Sequence, residues 1–159
     1  MDLTYSTYLH LDQLLAIQQP RSDPPEHDEM LFIVSHQAYE LWFKLQIHEL
    51  EQIRRDFEQN RLYEAIAHFK RIRTIMKVMV EQIDILETLT PMSFNSFRAR
   101  LDTASGFQSS QFREFEFVLG YKRKDMLKYQ QPGTPAYDRL VRRLNEPLCY
   151  WSARRSVWI

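Results

Sequence analysis

The chain has 159 residues, about one domain's worth, and can bury roughly 70% of its unfolded surface without disulfide staples. Its 21 basic and 21 acidic side chains cancel and are interspersed, which argues against a dominant electrostatic interest in nucleic acid or anionic lipid. The single cysteine, Cys149, can close no intramolecular disulfide and fits a cytoplasmic protein, and neither a signal peptide nor an apolar run of about 18 residues is visible, so no membrane span is expected.

Three glycines, seven prolines and apolar residues recurring at three and four predict an all-α fold: two long helices plus several shorter ones, in a single domain over 1–147. Leu11, Leu14, Leu15 and Ile17 give a short first helix, with Tyr5 and Tyr8 ahead of it. The prolines of Gln19 to Pro25 end it. A long helix starts near Asp28, where Asp28 and Glu29 favour the dipole. Its apolar face runs through Phe32, Ser35/His36, Tyr39, Phe43, Leu45/Gln46 and Leu50, and it frays near Asn60. The second long helix covers Leu62 to Leu89, with Ile66, Phe69, Ile72, Ile75, Met76, Met79, Ile83 and Leu86 as its buried stripe. Thr90 and Pro91 read as cap and first position of a short amphipathic piece from Met92 to about Leu101. A loop of small residues around Gly106 follows, Asp102 to Ser109, where backbone can approach a ligand. Ser109 or Ser110 caps a helix reaching Leu119 and closed by Gly120, and a final helix runs from Thr134-Pro135 to about Leu144. The tail 148–159 stands apart, with the only cysteine and two of the three tryptophans.

Two residues carry candidate chemistry. His36 lies in the apolar stretch FIVSHQAYELWFKLQIHEL with Phe32 one turn before and Glu40 one turn after, on a shared face. It reads either as a core histidine bonded to a neighbour or as a histidine facing a flat apolar ligand. Arg98, one turn after Phe94 and just ahead of the small-residue loop, reads either as a surface arginine or as a bidentate clamp for a small carboxylate. A di-iron bundle fails, because no glutamate has a histidine three residues later, and Glu64 with His68 sits among Arg61, Lys70 and Arg71 like a solvated face. The zinc pattern fails because His48-Glu49 is followed by Gln52. No Gly-x-Ser-x-Gly supports a hydrolase.

Three blocks carry a resemblance: YSTYLHLDQLL (5–15), HDEMLFIVSHQAYELWFKLQIHEL (27–50) and ILETLTPMSFNSFRARLDTASGFQSSQFREFEFVLG (85–120). In order and spacing the sequence resembles the tryptophan 2,3-dioxygenases, the haem enzymes that open the indole ring of L-tryptophan with dioxygen to give N-formyl-L-kynurenine. The resemblance implies that His36 is the distal catalytic histidine, beside the indole nitrogen, and that the substrate site is lined by Phe32, Ile33, Val34, Ser35 and His36. It makes Arg98 the carboxylate partner, Phe94 a pocket aromatic, and Leu101, Ser105 and Gly106 the leucine and loop that close around substrate and haem. Tyr5 and Tyr8 would enter a neighbouring subunit's site, which implies a homo-oligomer, usually a tetramer.

No residue matches the family's proximal haem-ligand histidine or its substrate-holding threonine, and the resemblance stops after Pro147. The expectation is therefore weak haem binding and no turnover by this chain alone. The alternatives are a truncated, non-catalytic family member acting as a helical interaction or regulatory subunit, and an unrelated amino-acid-binding module.

Overall fold

A computed structural model describes residues 3–147. Cys149 and the tail expected at 148–159 lie outside the described residues. Within them the fold is all-α, as expected, with no strand. The helices are α1 (Tyr5–Leu9), α2 (Leu11–Leu14), α3 (His27–Glu58), α4 (Leu62–Glu87), α5 (Pro91–Arg98), α6 (Ser110–Val118) and α7 (Pro135–Asn145). Short 3-10 turns occupy Ala99–Leu101, Gly106–Gln108 and Lys124–Tyr129. None of these helices is long and apolar enough to cross a membrane.

The chain divides into two compact units. The first joins the segment up to Gln37 to Ile83–Thr103, and the second joins Ala38–Gln82 to the segment from Ala104, so α3 and α4 each contribute to both.

In the first unit, the arm is more structured than its sequence suggests. Thr4 accepts from the Thr7 amide at 3.2 Å while the Thr7 hydroxyl accepts from the Thr4 amide at 2.9 Å, a reciprocal cap that starts α1. Tyr5 and Tyr8 therefore lie within a helix and not ahead of the first one, and His10, at φ 52°, separates α1 from α2. The helix expected to include Leu15 and Ile17 stops at Leu14, and both residues are exposed, since nothing in the unit covers them. Gln18 donates to the Leu14 carbonyl, and Gln37 donates to that of Ile17, tying the arm to α3.

Glu29, only 1% exposed, does more than favour a dipole. It accepts the amides of Arg21 at 2.7 Å and Ser22 at 3.0 Å, together with the Ser22 hydroxyl, and so ties the proline-rich loop to α3. Burial pushes its carboxyl up, but the Ser22 hydroxyl and the two amides outweigh it and hold the group below the ordinary carboxylate range.

The second unit holds two apolar clusters. Leu50 and Ile53 of α3 pack with Ala65 and Ile72 of α4 and Phe115 of α6. Phe43 packs with Ile75 and Met79, flanked by Tyr39, Trp42, Leu45 and Phe112, and the Tyr39 hydroxyl donates to the Met79 carbonyl at 2.8 Å. The expected face of α3 is thus the one that packs, whereas α4 differs from expectation. Ala65, Ile72, Ile75 and Met79 are its buried stripe, while Ile66, Phe69, Met76 and Ile83 stay exposed. This helix is apolar on two sides, and the side that carries the small Ala65 packs with Leu50 and Ile53 of α3.

His68 also departs from expectation. It is not part of a solvated face: its Nδ1 lies 2.7 Å from the Glu49 carboxylate of α3 and its Nε2 3.5 Å from that of Asp56. Arg71 and Arg61 pair with the same two carboxylates, at 2.8 and 2.6 Å. Burial pushes Glu49 up, and the bonds from Arg71 and His68 more than reverse it, leaving the carboxyl below its ordinary range.

Hydroxyl caps start α5 and α6 as the sequence predicts, Thr90 and Ser109 accepting from the amides of Ser93 and Phe112, and Thr134 likewise accepts from that of Tyr137 at the expected start of α7. Gly120, at φ 103°, follows α6, where a left-handed conformation suits glycine. Arg143 of α7, 5% exposed, clasps three helices, donating to Glu114 at 2.9 Å and to Glu51, with Glu146 at 3.0 Å.

Candidate active site

Aromatic residues four apart on α3 and three apart on α5 meet in the first unit. Phe32 lies 4.1 Å, ring centre to ring centre, from the His36 imidazole, and 5.7 Å from both Phe94 and Phe97. Phe94 and Phe97 meet edge to face at 5.5 Å. Phe97 is fully buried and supports the other two rings, which stay partly open along with His36. Sequence reading missed Phe97; the signal available was a second aromatic three residues after Phe94 on a helix carrying little other apolar weight.

The His36 ring takes a defined hydrogen-bonding role. Its Nδ1 lies 2.7 Å from the Phe32 carbonyl oxygen, which can only accept. Nδ1 therefore carries the proton, and in the neutral imidazole Nε2 is left as an acceptor. Phe32 thus supplies both a flanking ring and the carbonyl that sets the tautomer. The histidine is thus bonded to a neighbour, as one of its two sequence readings has it, and among the described residues Nε2 has no hydrogen-bond partner.

Within the predicted run 32–36 the residues do not share one environment. Ile33 is partly buried, Val34 is exposed and Ser35 is buried, as the 100° step of a helix requires. Glu40 accepts from Gln111 at 2.8 Å in the second unit.

Arg98 is exposed at the end of α5, one turn from Phe94, and its Nη1 donates to the Asp102 carbonyl at 3.1 Å. That is the guanidinium's one hydrogen bond among the described residues, so donors remain for an anion. Leu101 is partly buried in the 3-10 turn that follows. Tyr5 and Tyr8 project from α1, 76% and 67% exposed, and find no cover in their own unit.

Ser105 and Gly106 belong to the second unit. The Ser105 hydroxyl accepts from the Phe107 amide at 3.3 Å and its amide donates to Gln108, which shapes a compact turn. Phe107 stacks on Tyr129 at 5.6 Å, and Gln130 donates to the Gln108 carbonyl at 2.9 Å. A Cβ built on Gly106 would meet nothing within 4 Å, so the backbone there faces open space.

The profile of the tryptophan 2,3-dioxygenase family matches residues 1–147. A protein of Herpetosiphon aurantiacus named tryptophan 2,3-dioxygenase is 52% identical over 145 residues, covering 91% of this chain and 55% of its own length. Proteins of the same name from Anaeromyxobacter sp. (strain K) and Nocardioides sp. are 47% and 49% identical, covering 98% and 95% of this chain and 58% of their own lengths. The chain thus spans a little over half the length of these relatives.

Proposed function

The chain belongs to the tryptophan 2,3-dioxygenase family, and from that membership we propose that it serves the haem-dependent opening of the indole ring of L-tryptophan by dioxygen, giving N-formyl-L-kynurenine. The observation that carries this reading is the tautomer of His36. An indole N–H is a donor and needs an acceptor, and the bond from His36 Nδ1 to the Phe32 carbonyl leaves Nε2 free for that role.

The other residues divide the substrate between them. Phe32 and Phe94 wall the ring, with Ile33, Val34 and Ser35 on the same stretch of α3. Arg98 takes the carboxylate, with Leu101 beside it. An amino acid with one charged and one apolar end needs this combination of guanidinium and aromatic rings. Such surroundings suit a flat porphyrin as well, since the partly open rings of Phe32, His36 and Phe94 offer apolar faces for one. When bound, haem would supply the dioxygen chemistry. The residues of this chain orient the indole, hold its N–H and fix the carboxylate; none is assigned to the iron.

The exposed Tyr5 and Tyr8 support a homo-oligomer, a tetramer by resemblance, in which they complete a neighbour's site. The single cysteine favours a cytoplasmic setting.

The test is a chimera of residues 1–147 with the C-terminal part of the Herpetosiphon aurantiacus relative, assayed with L-tryptophan and with its 1-methyl derivative, which has no indole N–H. Arg98→Ala should lower kcat/KM by about 10- to 100-fold, the scale of a lost charge-assisted bond. His36→Ala should keep its haem, lose rate with L-tryptophan and lose the preference over the methylated compound. Unaltered kinetics in both variants would refute the assignment.

A further inference from the structure

Asp102 carries a backbone conformation that its residue type resists. Among the described residues, three non-glycine residues have positive φ: His10, Asn60 and Asp102. His10, at φ 52° and ψ 43°, takes the left-handed helical form that histidine, asparagine and aspartate visit readily. Asp102, at φ 48° and ψ −123°, does not. Its angles are those of the first corner of a type II′ turn, a position that favours glycine. Strain of this kind persists only where the surroundings hold it, and it concentrates at functional sites.

The consequence of the strain is geometric. The ψ angle of a residue aims its own carbonyl, and at Asp102 the oxygen turns back to accept Arg98 Nη1 at 3.1 Å. The preceding turn is itself held in the same unit. Arg100 Nη2 donates to the Asp23 carbonyl at 3.4 Å, next to the Arg21 and Ser22 amides that Glu29 grips. We propose that the backbone of Asp102 is a positioning device for Arg98, holding one edge of the guanidinium so that its other donors face outward to receive a carboxylate. This rests on the reading of Arg98 as the carboxylate partner. The simpler role, a cap on the end of a 3-10 turn, would affect stability alone.

Because the backbone and not the carboxylate does the work, glycine at 102 should preserve the device and a β-branched residue should destroy it. The full chain is prepared as wild type, Asp102→Gly and Asp102→Val, each also in an Arg98→Ala background. Asp102→Thr, also β-branched, replaces the valine variant if that variant loses its helical circular dichroism. Order of the Arg98 Nε–H group is read by nitrogen-15 relaxation, and affinity by calorimetry with L-tryptophan and with tryptamine, which lacks the carboxylate.

The glycine variant should match wild type in both. The valine variant should release Arg98, weaken L-tryptophan about tenfold and leave tryptamine unchanged, because a displaced donor costs affinity only for the group it binds. In the Arg98→Ala background the two substitutions at 102 should have no further effect on affinity. An ordered Arg98 in the valine variant would overturn the proposal. So would equal losses in the glycine and valine variants, which would implicate the aspartate side chain, or equal losses for both ligands. A wild type that fails to distinguish L-tryptophan from tryptamine would refute the role given to Arg98, while the relaxation data would still decide whether Asp102 holds it.

Discussion

Replacing Glu29 by glutamine tests whether a buried carboxylate holds the proline-rich loop to α3. One carboxylate oxygen accepts the Arg21 amide and the other accepts the Ser22 amide and hydroxyl. A glutamine has one acceptor oxygen and one NH2, so whichever way it lies a donor faces a donor. Leaving a buried donor unsatisfied costs about 1–3 kcal/mol, and the loss of charge assistance puts Glu29→Gln toward the upper end. For a chain of this size that is a fall in Tm of roughly 3–10 °C at pH 7.

The pH dependence has a fixed sign. The folded carboxyl sits below its ordinary value of 4.5, so its stabilisation is complete above that value and fades as pH falls through the lower folded value. Thermal melts of the two proteins followed by circular dichroism should therefore lie apart at pH 7 and converge in acid. Coincident melts at pH 7, or a gap that persists undiminished to low pH, would refute the reasoning.

Three further outcomes follow from the packing. Phe97→Ala empties the space beneath Phe32 and Phe94 and should cost about 3–5 kcal/mol in urea unfolding, with a loss below 1 kcal/mol counting against the cluster. Arg143→Met removes the shared partner of Glu51 and Glu114 and should destabilise by about 3–5 kcal/mol, less where Arg139, 3.6 Å from Glu114, compensates; an unchanged urea midpoint would show the clasp to be ornamental. Deleting residues 1–10 should raise KM for L-tryptophan in the chimera while leaving most helicity intact, and an unchanged KM would reject the role of Tyr5 and Tyr8.

Local chemistry was the part of this fold that could be read directly. Thr90, Ser109 and Thr134 announce their helices because a hydroxyl cap acts within three residues. The packing face of α3 is legible in part, through Phe43 and Leu50, but Met30, Val34 and Leu41 are exposed while the polar Glu29, Gln46, Glu49 and Asp56 are buried, because their partners lie elsewhere in the chain. The start of α1 was missed because its reciprocal cap uses Thr7 where a glutamate or glutamine is the usual signal. α4 carries apolar residues on two sides, and only the partner helix decides between them. His68 was misplaced for a related reason, since its carboxylates lie on another helix, 19 residues away in the case of Glu49.

At the candidate site, spacing put Phe32 with His36 and Phe94 with Arg98, but it could not show that the two pairs meet. The strained backbone at Asp102 leaves no trace in composition or periodicity, because aspartate is an ordinary loop residue.

The clasp at Arg143 bears on the order of events as the second unit assembles. Its bond to Glu51 spans 92 positions, whereas Tyr39 to Met79 spans 40 and His68 to Glu49 spans 19. Contacts across shorter chain segments close at lower entropic cost, so the hairpin of α3 and α4 can zip before α7 is in reach. An interaction made after the rate-limiting step leaves the speed of folding untouched and slows escape from the folded state. On that order the bond from Arg143 to Glu51 closes late, and its loss should show as faster unfolding with refolding near its original pace; slower refolding would place the bond before the barrier.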